Sequence, residues 1–565
     1  MSALDLVGIA IIFPFLQVVM HPETAGKILA EVGFGKAALP LTHRQLSIVL
    51  GGSVALFYAG KTFIQSTLMR TQARLLARFT EDQTNDIVSR VLNARYAVFQ
   101  QTPASEIAGT AYSNTVHASI ALTAFIQAVN EGLLLTLLFF GFFLFQPMLA
   151  LGAALLAVLA AFLLYIILIR RSSQLGAAQS RVENIRYRLL FSIASAIRDI
   201  KIMGLDSLFD VRNRSVSRDY SELAWRFNFN NSLPRPLIEF LALLAIVSAA
   251  LAIVVFDIPL DKAGPLLGLA AVAAVRAVPA FSRMLGAVST FRFSRPFVIR
   301  LIDLRERLAN AAVLRKDDNL SFNHSIELRD VGFHYSDTQV LSNVCIELKR
   351  GEAIGIVGPS GAGKTTLLDL FTGLQQATEG QFFCDGVRFD PFISRSIQKF
   401  MGYVPQAITL LDETISFNVS FEERPDTARV MRALSVANLE RLIASLPEGI
   451  QTRVGENGLR LSGGQRQRMG IARALYRSPK ILVFDEATSA LDTLSEKKLT
   501  TEIDKLRGQI SMVIVAHRLS TVMACDRIYV LSDGKIESSG THPELLLTSK
   551  TYKQLYAIQR DGDCE

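Results

Sequence analysis

Three short stretches of the sequence carry residues whose types and spacing could handle a phosphorylated ligand. Gly358-Pro-Ser-Gly-Ala-Gly-Lys364-Thr365 fits the pattern G-x-x-x-x-G-K-[ST]. It follows the apolar run AIGIVG and leads into the apolar helix former TTLLDLFTGL. In a strand–loop–helix setting the glycines let backbone N–H groups approach phosphate oxygens, Lys364 neutralises their charge, and Thr365 offers a hydroxyl to Mg²⁺. A second apolar run, ILVFDE at 481–486, ends in two carboxylates. Asp485 is placed to hold the Mg²⁺ shell and Glu486 to polarise an attacking water; an acidic helix cap is the other reading of the pair. Between the two runs, Leu461-Ser-Gly-Gly-Gln465 opens a helix rich in Arg and Ala. A serine and two glycines at a helix N-terminus make another anion site, and nothing within the same domain needs one.

In this order the stretches resemble the ABC ATPase family. Leu461–Gln465 is similar to its signature, Gln406 of GYVPQ to its Q-loop glutamine, SALD at 489–492 to its D-loop, and His517 of VIVAHR to its switch histidine. Tyr335, 23 residues before Gly358, resembles the aromatic that stacks on adenine. The resemblance implies ATP and Mg²⁺ as ligands. It implies that Gly358, Ser360, Gly361, Gly363, Lys364, Thr365 and Thr366 surround the phosphates, and that Ser462, Gly463, Gly464, Gln465 and Asp492 close over them. Thr365, Gln406 and Asp485 would serve the metal, and Glu486, His517 and Gln406 hydrolysis. It also implies a dimer, in which each ATP lies between Gly358–Thr365 of one subunit and Ser462–Gln465 of the other. With one such domain per chain and a complete motif set, a homodimer suffices.

These motifs need a domain to hold them, and the rest of the chain is of another kind. Half of the 565 residues are hydrophobic, and residues 4–20, 45–68, 117–145, 148–169, 237–255 and 264–291 are long and mostly uncharged. Several reach the roughly 20 residues needed to cross about 30 Å of hydrocarbon, so six crossings are expected. The formal charge of +8 does not call for nucleic acid, because the basic residues sit where a membrane protein puts them: residues 170–231 hold eleven Lys and Arg, whereas the turn at Gln146-Pro147 holds none. By the positive-inside rule the long segments 69–116 and 170–231 are cytoplasmic, and with six crossings so is the C-terminal domain. Those segments are too long for simple loops. Helices that continue into the cytoplasm are expected instead, turning over short helices near Ala104–Ala108 and Asp206–Asp210. The first apolar run carries Asp5 and no basic n-region, which favours a shortened first helix over a signal peptide. Cys345, Cys384, Cys525 and Cys564 show no C-x-x-C spacing and read as reduced thiols.

The expected fold is therefore an α-helical six-crossing membrane domain of exporter type (1–310), a linker (311–322) and an α/β P-loop ABC nucleotide-binding domain (323–565), multi-pass in the cytoplasmic (inner) membrane of a bacterium. A membrane domain ahead of the ATPase, with long stalks and Val454-Gly455-Glu456 before the signature, resembles the exporter class. Soluble ABC ATPases lack the membrane part, importers usually keep it on another chain, and a channel or regulator would have less use for Glu486 and His517. Charges inside the crossings bear on cargo, since an Arg at mid-membrane costs about 2.5–3.5 kcal/mol on insertion scales. Arg276 and Arg283 lie seven apart on one face with Pro279 between them, and Pro234-Arg235-Pro236 precedes Glu239. One reading pairs these arginines with Glu239 or sets them at the cytoplasmic mouth. The other rests on resemblance: Arg-x-x-Pro-x-x-x-Arg, Pro-Arg with an acid four positions on, and an acid ahead of PF in the first crossing look like the lipid-linked oligosaccharide flippase of bacterial protein N-glycosylation. That resemblance implies Arg235, Arg276 and Arg283 facing a pyrophosphate on a membrane-lipid carrier, and an external helix near AGKILAEVGFG. Against that family's pattern, no cytoplasmic elbow helix is expected before the first crossing. Export of a peptide, lipid or drug is the alternative function.

Overall fold

A computed structural model describes residues 43–145, 147–255, 260–335, 337–486, 501, 505–516 and 518–562. The chain divides into two compact units, one of residues 1–94 with 98–312 and one of residues 95–97 with 313–565.

The first unit is helical throughout its described part. Its main helices are α1 (His43–Asn93), α2 (Ala104–Gly109), α3 (Thr115–Phe145), α4 (Pro147–Leu164), α5 (Arg170–Ser195), α6 (Ile197–Met203), α7 (Asp206–Ser232), α8 (Pro234–Val255) and α9 (Leu260–Asn310). One turn of π-helix joins α2 to α3 at Thr110–Asn114, and another joins α4 to α5 at Tyr165–Ile169. Among the described residues four stretches are long and apolar enough to cross a membrane: Ser47–Asn93, Ala104–Leu144, Ala150–Ser195 and Asp206–Ser248. They overlap the second to fifth expected crossings. The sixth falls on α9, while the first, with the external helix, lies outside the described residues. At 1.5 Å per residue the 51 residues of α1 and of α9 each span about 75 Å, over twice the hydrocarbon thickness. The helices therefore continue far beyond the apolar segments.

The expected short helix at Asp206–Asp210 is displaced. The short helix is α6, and Gly204 ends it in the left-handed conformation (φ 65°) that glycine adopts without steric cost. Asp206 instead opens the long α7, where its carboxylate suits the helix N-terminus and pairs with Lys201. The expected short helix near Ala104 is α2, which follows Pro103.

Helices α5 and α9 cross at very close range. Ser172 and Ser289 meet through buried hydroxyls 2.9 Å apart, and a Cβ on Gly176 would lie 2.0 Å from the Phe293 carbonyl oxygen. Gly176→Ala is expected to force the crossing apart and to cost about 1–3 kcal/mol, as overpacking does. Thermal unfolding of the purified protein beside Gly152→Ala, where a Cβ meets nothing within 4 Å, measures it.

The second unit is built on two sheets. Strands β1 (Ser325–Tyr335), β2 (Thr338–Lys349), β4 (Glu379–Cys384) and β5 (Val387–Phe389) form an antiparallel sheet in the order β2-β1-β4-β5. Strands β3 (Ala353–Val357), β6 (Met401–Val404), β7 (Ile481–Asp485), β8 (Ser511–Val515), β9 (Arg527–Ser532) and β10 (Lys535–Gly540) form the other in the order β10-β9-β3-β8-β7-β6, parallel except for β10. All five residues of β3, β7 and β8 are buried, as strands covered on both faces require. Alternate residues feed two cores: Ile354, Ile356, Ile481, Val483, Val513 and Val515 one, and Ala353, Val357, Leu482, Phe484, Met512 and Ile514 the other. The phosphate-loop motif leaves the C-terminal end of β3 and the carboxylates end β7, one strand away across β8.

Candidate functional site

The loop after β3 has the backbone that a phosphate cradle needs. Gly361 and Gly363 adopt positive φ (80° and 100°), and Gly363 caps α10 (Lys364–Phe371). A Cβ on Gly358 would lie 2.1 Å from the Leu531 carbonyl oxygen, so only glycine fits there, whereas Gly361 faces open space. Thr365 and Thr366 stand in the first turn of α10, behind exposed Ser360. Lys364 is buried, and its Nζ donates to the carbonyl oxygens of Gly358 and Pro359 at 2.9 Å each. Burial pushes the lysine below its usual range, while the charges of Glu486 and Asp485 pull it back up. A positive side chain folded under glycine-rich backbone at the start of a helix fits a phosphate chain.

Asp485 and Glu486 are adjacent yet differently held. Tyr403 Oη donates to Asp485 Oδ2 at 3.1 Å. Glu486 has a left-handed backbone (φ 51°), its N–H bonded to the Val515 carbonyl at 2.9 Å, and its Oε2 accepts from Gln406 Nε2 at 2.6 Å. That contact leaves the Gln406 amide oxygen as a donor to a hard cation. With the Thr365 hydroxyl and the Asp485 carboxylate it would make an all-oxygen set, of the kind that suits Mg²⁺. Beneath them burial, then the charge of Asp485, pushes Asp369 up to about 6. Sequence reading did not single out Asp369 or Tyr403. Their signal was faint: a carboxylate inside an otherwise apolar helix and a tyrosine in an apolar strand.

Ser462 caps α11 (Gly463–Tyr476) in a reciprocal box, its hydroxyl accepting from the Gln465 N–H at 3.2 Å while its own N–H donates to Gln465 Oε1 at 2.8 Å. A Cβ on Gly463 would meet nothing within 4 Å, so this helix end is open. Among the described residues no hydrogen bond joins Ser462–Gln465 to Gly358–Thr365. Tyr335, partly exposed at the end of β1, stands edge-on to Phe333 with ring centroids 4.7 Å apart. Asp492 and His517 lie outside the described residues.

The three membrane arginines have different surroundings. Arg235 Nε pairs with Glu239 Oε1 at 2.9 Å, one turn along α8. Arg276 is exposed on α9. Arg283 does not pair with Glu239: it makes a two-pronged contact to Glu131 of α3, Nε to Oε1 at 2.7 Å and Nη2 to Oε2 at 3.1 Å. Glu131 is buried, with 7% of its surface exposed, and it is the one charged residue in 115–145. That isolation was its signal, since a charge inside a span demands a partner.

Comparison with known proteins adds to this geometry. The "ABC transporter" family model matches residues 341–489. An "ATP-dependent lipid A-core flippase" of Burkholderia orbicola is 43% identical over 236 residues, 41% of this chain and 40% of that protein, so the chain is aligned with less than half the length of that relative. A protein of the same description from Ralstonia nicotianae is 30% identical across 97% of this chain and 96% of its own length. Among solved structures, a "bacterial Atm1-family ABC exporter with ATP bound" superposes with a TM-score of 0.77 at 24% identity, over 99% of this chain and 98% of that one.

Proposed function

The chain belongs to the ABC transporter family, with the exporter fold of an α-helical membrane domain followed by an α/β P-loop ATPase domain, and on that premise we propose that it hydrolyses ATP to move a phosphate-bearing glycolipid across a bacterial inner membrane. The family and the full-length similarity to a lipid A-core flippase support an ATP-driven exporter of a lipid-like substrate. The observation that carries the phosphate is the pair Arg276 and Arg283, two helical turns apart on α9, with Arg283 held on Glu131 in an otherwise uncharged helix.

In this reading Lys364 and the amides of Gly361–Thr365 bind the ATP phosphates, and Tyr335 stacks on the base. Thr365, Gln406 and Asp485 would hold Mg²⁺, which supplies charge neutralisation on the phosphates. Glu486 orients the attacking water, and phosphoryl transfer asks for little more than positioning and charge. The open N-terminus of α11 supports a site completed by a second copy, because among the described residues only its own Ser462–Gln465 cap is bonded there and a Cβ on Gly463 would meet nothing within 4 Å. The ATPase domain then lies in the cytoplasm.

Lipid A-core is the cargo named for the relatives, and it fits two arginines that meet phosphate. Lipid-linked oligosaccharide is the second reading, favoured by Arg-x-x-Pro-x-x-x-Arg at 276–283. Each arginine–phosphate contact is charge-assisted and worth about 1.5–3 kcal/mol, or roughly 10- to 150-fold in affinity. Arg283→Ala alone would strand the buried Glu131 at a cost of about 3–5 kcal/mol, so the test neutralises both sides. The variant Arg276→Gln, Arg283→Gln, Glu131→Gln is expected to lose lipid stimulation of ATPase at least tenfold in half-saturating concentration, with basal ATPase within about twofold. Lipid A and an undecaprenyl-linked oligosaccharide, titrated separately, tell the two cargoes apart. Unchanged half-saturation for both lipids would remove the arginines from substrate recognition.

A further inference from the structure

Where α3, α5 and α9 meet, the membrane unit buries polar atoms that have no partner among the described residues. Ser113 Oγ, in the π-turn ahead of α3, donates to Glu183 Oε1 of α5 at 2.5 Å. The other carboxylate oxygen, Oε2, is buried and accepts no hydrogen bond. His117 Nε2 stands 4.0 Å from it, outside hydrogen-bond reach, and its ring is fixed by stacking on Phe297 of α9 with centroids 3.7 Å apart. Gln179 Oε1 and Ser180 Oγ, on the same face of α5 one turn before Glu183, are buried and unpartnered too. So is Ser294 Oγ, one turn before Phe297 on α9, where the whole residue is 0% exposed.

Helices α5 and α9 thus each bury unpartnered oxygens at the junction that holds this carboxylate. Buried polar groups are normally satisfied, and buried charges are paired or coordinate an ion. Arg300 of α9 donates to the Ser180 main-chain oxygen at 2.9 Å and makes no bond to Glu183. We propose that this junction is a binding site for a monovalent alkali cation, Na⁺ or K⁺. The donors are the hard oxygens of one carboxylate, one amide and two hydroxyls. A single negative charge is balanced by a single positive one, whereas a divalent ion would leave an uncompensated charge at a low-dielectric helix junction. No cluster of three His, Cys, Asp or Glu occurs among the described residues. Such an ion cross-links α5 and α9 and stabilises the arrangement in which they touch, by mass action. This site goes beyond the transport reading, and its test does not depend on the cargo.

Equilibrium binding of ²²Na⁺ and of ⁸⁶Rb⁺ to the full-length protein in lipid nanodiscs, with choline as the balancing cation, is the measurement. The expected result is saturable binding of one of the two ions, with affinity reduced at least tenfold in Glu183→Gln, which keeps an acceptor for Ser113. Ser294→Ala, which removes one buried hydroxyl, is expected to weaken binding several-fold without lowering the melting temperature in choline. It decides the matter if Glu183→Gln does not fold. No saturable binding of either ion to the unsubstituted protein, as for a junction filled by water alone, would overturn the site. So would undiminished affinity in the folded variants.

Discussion

Glu486→Gln is expected to lower ATP turnover by roughly 10²- to 10³-fold while nucleotide affinity stays within about threefold. Glutamine matches glutamate in shape and strain, so the left-handed backbone at φ 51° is no worse accommodated than before. The amide can still meet Gln406, now as a neutral pair in place of the 2.6 Å contact to a carboxylate. What is lost is the charge that polarises water, and a positioned general base contributes typically 10²- to 10⁴-fold. The phosphate cradle, with Lys364 and the glycines, is untouched. Steady-state hydrolysis and fluorescent-nucleotide binding on the same preparation check both halves. Near-normal turnover would move the base to another residue.

The second large effect is a loss that depends on which chain carries each change. If the signature of one copy completes the phosphate loop of the other, a mixed dimer with Ser462→Arg on one chain and Lys364→Ala on the other keeps one unaltered site. The same two changes on a single chain, paired with an unaltered chain, leave none. Hydrolysis in the first dimer is expected at a substantial fraction of the unsubstituted rate, and in the second at background. A site formed within one chain gives the opposite ranking. Differently tagged subunits, purified in tandem and assayed for phosphate release, separate the cases.

The candidate nucleotide site was legible as a sequence pattern because phosphate chemistry fixes residue types at short spacing along the chain. A phosphate cradle needs glycines, a lysine and a hydroxyl in sequence, and the strand–loop–helix setting follows from the apolar runs on either side. Contacts made at long range were not legible. Gln406 and Glu486 are 80 residues apart, and no local pattern records that the glutamine amide reaches the carboxylate. Arg283 and Glu131 are 152 residues apart, so Glu239, near Arg235 in sequence, drew the pairing that belongs to Glu131. The crossings were visible as apolar runs long enough for the bilayer. The end of α6 was missed because Gly204, in the left-handed conformation, marks the turn more strongly than the charged residues around Asp206. The π-turns at Thr110–Asn114 and Tyr165–Ile169 left no trace in hydrophobic spacing, since one extra residue in a turn barely alters an apolar stripe.

The claim that ATP hydrolysis drives lipid movement is tested most directly in proteoliposomes. The protein is reconstituted with a fluorescent phosphoglycolipid in both leaflets, ATP is supplied on the side of the ATPase domain, and the probe left on that side is quenched with dithionite at intervals. The expected result is ATP-dependent depletion of the probe from the ATPase-side leaflet, absent in Glu486→Gln. Equal depletion with and without ATP, or in Glu486→Gln as in the unsubstituted protein, would contradict the account.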